Sequence, residues 1–203
     1  MTPAKPRQPA DTREQILDLA EMLIQTRGYS AFSYQDISSQ LGITKASIHY
    51  HFPSKTGLGT AVIDRYSERF GEALSAIAGD QSQSSMAMLD RYFEPYLQFA
   101  KSRERVCLCG SLAGEMMALP PEMHERVDHF FREHHAWLAA ILKRGADRGE
   151  FKLPAPVAKM ARMVFGALQG GLLVQRTTGD ASQLKDVMAA LKAQLLAGSH
   201  SPA

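Results

Sequence analysis

Apolar residues recur every three or four positions along nearly all of this 203-residue chain, and no useful length of it alternates apolar with polar residues as a half-buried strand does. That periodicity predicts an all-α protein whose helices each bury one stripe and pack on one another. The stops between them divide the chain. Ile16, Leu17, Ala20, Leu23 and Ile24 make the stripe of a first helix, with Asp11 or Thr12 as its N-cap and Gly28 as its stop. A second helix is expected from Tyr34 to Leu41, capped by Ser33. Gly42 turns the chain, and a third short helix carries Ala46 and Ile48 as far as His51, closed by Phe52-Pro53.

Longer helices follow. Leu58, Val62, Tyr66, Phe70, Leu74 and Ile77 share one face, and the polar stretch 79–85 breaks the chain. Leu89, Phe93, Leu97 and Ala100 define the next helix, where Pro95 predicts a kink or a restart. Further helices are expected over 106–117, 123–143, 156–176 and 182–196, the first stopped by Pro120-Pro121. The expected organisation is a helix-turn-helix domain over 12–64 and a second helical domain over 65–197, with disordered tails at 1–11 and 198–203.

Composition narrows the class. With 45% hydrophobic and 22% charged residues the chain can build a core. No apolar run approaches the roughly 18 residues of a membrane span, and the first ten residues carry three prolines in place of a signal peptide's apolar stretch. Two cysteines, Cys107 and Cys109, form no disulfide framework, so a cytoplasmic location is expected. No phosphate loop, nucleophile elbow or clustered carboxylate pair points to an enzyme, and no cofactor is expected. His124, His129, His134 and His135 invite a metal site, but the five-residue steps from His124 to His129 to His134 rotate ligands about 140° around a helix, so no metal is expected.

The net charge is only +2, yet from Ile37 to Ile63 there is no Asp or Glu, while Lys45, His49, His51 and Lys55 lie inside that window. Such a surface approaches phosphates without like-charge repulsion. Ile37, Leu41, Ile43 and Ile48 can lock the two short helices at a fixed angle, leaving Thr44, Lys45, Ser47, His49, Tyr50 and His51 outward. This is the arrangement in which a second helix enters the major groove. Small and polar residues at its start suit base-edge contacts, and Lys45, Tyr50, His51 and Lys55 suit phosphates.

Residues 12–66 resemble the DNA-binding domain of the TetR/AcrR family of bacterial repressors. The matching pieces are Thr12-Arg13-Glu14-Gln15-Ile16, Arg27-Gly28-Tyr29, Phe32 to Ile37, and Leu41-Gly42-Ile43-Thr44-Lys45-Ala46-Ser47-Ile48-His49-Tyr50-His51-Phe52-Pro53-Ser54-Lys55. The resemblance implies about nine helices, a homodimer built by the last two, a ligand pocket between, and binding to palindromic double-stranded operator DNA. By position it puts DNA contacts on Tyr34, Thr44, Lys45, Ala46, Ser47, His49, Tyr50, His51 and Lys55. His49 departs from the family, where most members have tyrosine.

In the second half Phe93, Tyr96, Phe99, Cys107, Met116, Phe130, His134 and Trp137 are candidates to line an effector pocket, with Met117 beside them. The same residues at helical spacing are also what a plain core is made of. The stretch Cys107-Leu108-Cys109-Gly110-Ser111-Leu112 with Glu115-Met116 resembles the subgroup that senses electrophiles such as N-ethylmaleimide. That resemblance implies Cys107 as a sensing thiol, which Arg103 or Arg105 would activate by lowering its pKa. Gly166, Gly170 and Gly171 lie inside one helix at a cost of about 1 kcal/mol each against alanine, which close helix approach would offset. With Leu184, Val187, Leu191 and Leu195 on the last helix, they predict a four-helix dimer interface.

Overall fold

A computed structural model describes residues 12–102 and 104–197. Among them are nine α-helices, one short 3-10 turn and no strand. The first three, α1 (Thr12–Arg27), α2 (Tyr34–Leu41) and α3 (Lys45–His51), form a compact unit. Then come α4 (Lys55–Gly79), α5 (Ser85–Ser102), α6 (Leu108–Gly114), the 3-10 turn Met116–Ala118, α7 (Pro121–Asp147), α8 (Val157–Thr178) and α9 (Gln183–Ala197). The cap expectation at Asp11, the tails and the role of Arg103 lie outside the described residues.

Local chemistry sets most of these ends. Ser33 and Asp36 make a reciprocal capping box at the start of α2, the Ser33 N–H donating to Asp36 Oδ2 at 2.7 Å. Gly42 adopts φ 66° after α2, a left-handed conformation that costs other residues energy. The Ser38 hydroxyl then donates to the Ile43 carbonyl at 2.6 Å and ties off the turn. Thr44 caps α3 by accepting from the Ser47 N–H at 3.1 Å.

Three expectations need correction. The helix expected over 106–117 is shorter. Val106 and Cys107 are extended because the Val106 N–H is donated to the Gln25 carbonyl at 3.3 Å, and the chain tightens into a 3-10 turn after α6. Pro95 interrupts nothing: α5 runs through it from Ser85 to Ser102. By length and composition α8 is apolar enough to cross a membrane, the one such helix among the described residues. It packs against α7 and α9 and carries Lys159, Arg162 and Arg176.

The expected boundary at 64/65 falls inside α4. The first half of α4 closes on α1, where Arg65 reaches Glu14, Asp18 and Glu21 at 3.1, 2.7 and 3.1 Å. α7 of the larger bundle packs along α4 too, from Gly59 beside Met123 and Asp64 paired with Arg126 to Leu74, whose carbonyl accepts from Trp137. One uninterrupted rod therefore belongs to both halves.

Candidate nucleic-acid interface and effector cleft

Ile37 and Ile48 are fully buried, with Leu41 and Ile43 packed against them, so α2 and α3 are held at a fixed angle. Thr44, Lys45, Ala46, His49 and Tyr50 are exposed, and Ser47 and His51 partly so. Tyr50 is 84% exposed, with the His51 ring edge-on to it at 5.2 Å. The His49 ring lies 4.8 Å from that of Tyr34, and its Nδ1 is 3.3 Å from the Pro53 carbonyl.

Two residues of the expected contact set have further work. Tyr34 is buried, and its hydroxyl donates to the Phe52 carbonyl at 2.8 Å, fixing the end of α3. Burial pushes its pKa up to about 12. Lys55, at the start of α4, holds its ammonium 4.5 Å from the ring centres of both Tyr29 and Phe32. Partial burial lowers its pKa.

A seam joins this unit to the larger bundle. The last turn of α1 leaves carbonyls with no partner inside the helix. The Ile24 carbonyl accepts from the Ser111 hydroxyl at 3.0 Å, Gln25 from Val106 N–H and from Arg176, and Thr26 from Arg176. Glu115 accepts from the Tyr29 N–H at 2.7 Å and the Ser30 N–H at 2.8 Å. Every one of these donors and acceptors lies across the boundary between the two halves. Sequence reasoning assigned none of them, because nothing local marks a residue whose partner is about 80 to 150 positions away.

A cleft of about 510 Å³ opens between α4 and α5, within the range of small-molecule sites. Its α4 wall is Arg69, Phe70, Ala73, Leu74, Ala76 and Ile77, and Tyr92, Pro95, Tyr96 and Phe99 contribute from α5. Of the expected pocket residues, Tyr96 and Phe99 line it. Phe93 is buried beside α9, where Lys192 lies 5.9 Å from its ring, and Met116 is half-buried in the 3-10 turn. Met117 beside it is 98% exposed. Trp137 backs the cleft, stacked on Tyr92 at 5.1 Å and donating its indole N–H to the Leu74 carbonyl at 2.9 Å.

Behind Tyr92 and Phe70 lies an aromatic cluster containing Phe130 and His134, with ring centres 4.1 Å apart. Burial, with a smaller contribution from His135, pushes the His134 pKa down to about 3, so its imidazole is neutral. Among the described residues no three His, Cys, Asp or Glu side chains converge on one point. Cys107 is 3% exposed, and the Tyr66 hydroxyl donates to its sulfur at 3.6 Å. Cys109 is fully buried, which raises its pKa. Arg105 is exposed.

On the far face, Gly171 approaches Leu184 and Val187 of α9, while Gly166 and Gly170 have open space above them. Leu173 and Val174 of α8 and Leu196 of α9 are exposed large apolar residues.

Known proteins match this architecture. Residues 16–62 match the model of bacterial regulatory proteins of the tetR family, and residues 85–191 match that of the tetracyclin repressor-like C-terminal domain. A TetR transcriptional regulator from Legionella pneumophila is 32% identical, with a TM-score of 0.84 over 93% of this chain and 100% of that one. An uncharacterised HTH-type transcriptional regulator from Lactococcus lactis is 28% identical over 90% of this chain and 92% of its own. The reduced form of E. coli NemR superposes with a TM-score of 0.78 over 95% of this chain and 100% of that one, but at 21% identity it speaks for the fold alone. These relatives are regulators, not enzymes, and with two family models covering its DNA-binding and C-terminal halves this chain belongs to the TetR family of bacterial transcription regulators.

Proposed function

We propose that the chain is a cytoplasmic, homodimeric repressor that holds a palindromic operator and releases it when a small molecule occupies the α4–α5 cleft. The observation that carries the reading is α4 itself. Lys55 at its start stands beside α3, and Phe70, fifteen residues on, lines the cleft, about 22 Å away at 1.5 Å per residue. A ligand that fits the cleft better in one tilt of this rod than in another shifts the spacing of two recognition helices, by no more than its affinity difference between the two states. Thr44, Lys45, Ala46, Ser47, His49, Tyr50, His51 and Lys55 are the proposed DNA surface, with Tyr34 acting from beneath it. Tyr96 and Phe99 are proposed as effector walls, with Trp137, Phe130 and His134 behind them.

The open glycine face of α8, with Leu173, Val174 and Leu196 beside it, supports α8 and α9 as the dimer interface. Gly170→Arg is expected to convert dimer to monomer at micromolar concentration in analytical ultracentrifugation. An unchanged dimer would place the interface elsewhere.

A covalent trigger through Cys107 is the second reading, favoured by the resemblance of its flanking residues to the electrophile-sensing subgroup. Its burial beneath Tyr66 weighs against it, since electrophiles react with accessible thiolates. One fluorescence-anisotropy titration against DNA from upstream of the protein's own gene tests both. Tight, salt-sensitive binding is expected, with Lys45→Ala and Lys55→Ala each weakening it and lowering the salt slope by about one per contact removed. Wild-type affinity in both lysine variants would refute the assigned surface. N-ethylmaleimide is expected to leave the complex intact; release by the reagent that Cys107→Ser abolishes would make the thiol the trigger.

A further inference from the structure

His134 is 2% exposed and packed among the rings of Phe70, Tyr92, Phe130 and Phe165, at 5.8, 5.7, 4.1 and 5.5 Å. A phenylalanine would fill this space without polar cost. The imidazole instead meets the Tyr92 hydroxyl at 2.9 Å through Nδ1, while Nε2 is buried without a partner among the described residues. An unmet buried polar group costs about 1–3 kcal/mol.

The hydrogen bond to Tyr92 decides which nitrogen carries the proton. Nδ1 is the one hydrogen-bond partner of the Tyr92 hydroxyl among the described residues. If the hydroxyl donates, its proton has an acceptor and the imidazole proton sits on Nε2. Were Nδ1 the donor, the Tyr92 proton would have no acceptor and Nε2 would still be unpaired. The first arrangement leaves one group fewer unmet, so Nε2–H is a buried donor with no acceptor among the described residues.

Phe70 and Tyr92 belong both to the cleft wall and to the ring cluster. His134 therefore lies one ring behind the cleft surface, screened by the half-buried Phe70. We propose that the cleft takes an uncharged, flat, mostly aromatic effector that displaces the Phe70 ring and whose carbonyl-type oxygen accepts a hydrogen bond from His134 Nε2–H. The walls next to this donor are rings, which fits an aromatic body. Arg69 and Arg91 also line the cleft, Arg69 already paired with Glu21 at 2.7 Å, so a carboxylate on the imidazole would have to sit among rings rather than on a guanidinium, which is costly. The inference rests on the cleft being the effector site proposed above.

The test uses 2-acetylnaphthalene, which carries the oxygen, and 2-isopropylnaphthalene, a near-isostere without it. Trp137 is the single tryptophan of the chain and stacks on Tyr92, so its emission reports binding to the intact protein. The ketone is expected to bind the wild type about tenfold or more tighter than the hydrocarbon, the worth of one buried hydrogen bond. In His134→Phe the preference should vanish while the hydrocarbon still binds. A long-range 1H–15N spectrum of the unmodified protein should show His134 as the Nε2–H tautomer, which needs no variant to fold. Equal affinities in the wild type, a preference that survives His134→Phe, binding of neither probe, or an Nδ1–H tautomer would each overturn the assignment. Operator titration of the probe-free protein is run alongside. Intact DNA binding with no ketone preference overturns only the ligand class, whereas absent DNA binding overturns the repressor reading.

Discussion

Ala46→Glu is expected to lower operator affinity by at least about 100-fold while leaving thermal stability unchanged or slightly raised. The two effects have opposite signs because one carboxylate meets two different fields. Ala46 is exposed in the first turn of α3, just past the Thr44 cap. A negative charge there faces the positive end of the helix dipole, a contribution of about 0.3–1 kcal/mol to the folded state. The side chain is exposed and outside the buried core, so no core contact is lost. On DNA the same carboxylate is pressed against phosphates and base-edge acceptors, where juxtaposed like charges cost several kcal/mol. A dimer carries the change twice, and about 2.7 kcal/mol in total already amounts to 100-fold. Anisotropy titration and a melting curve on the same preparation check it. Retained affinity would mean that α3 does not enter the groove; a large fall in Tm would mean that Ala46 supports the fold.

The first half of the chain was legible because its signals are local. Gly28, Gly42, Ser33 and Phe52-Pro53 act on their immediate neighbours, and α2 and α3 begin and end where they predict. Tyr34 shows the limit. Read alone it is an outward phenol at a helix start, but the Phe52 carbonyl eighteen residues on draws it inward. The α6 region fails for the same reason: an apolar run reads as helix, and the distant Gln25 carbonyl holds Val106 extended. The cleft was the least legible part. Helical spacing says which residues face inward but not which inward faces meet another helix and which meet a gap. Phe93 and Phe130 are filled-in core, while Arg69, Phe70, Ala73 and Leu74 of α4 form a wall that no local pattern announced.

Gly28→Ala is expected to cost about 2–4 kcal/mol, lowering Tm by about 4–16 °C for a chain of this size, and about half of that loss depends on Glu115. Gly28 ends α1 at φ 93°, where a Cβ costs about 1–2 kcal/mol through the backbone alone. The added Cβ would also stand 2.1 Å from Glu115 Oε1. The carboxylate is the free end of a flexible side chain, so it can move away, but only by giving up its bonds to the Tyr29 and Ser30 N–H groups. Glu115→Ala gives up the same two bonds without the backbone strain. In the double variant they are lost once, not twice, so the combined cost should fall short of the sum of the single costs by about 1–2 kcal/mol. Thermal scans of all four proteins at one concentration, fixed because the proposed dimer would make Tm concentration-dependent, measure this shortfall. Strictly additive costs would show that Gly28 is there for its backbone conformation alone. A shortfall of the expected size would show that the glycine also makes room for the carboxylate, and so that the α1–α2 turn is held in place by the C-terminal half of the chain.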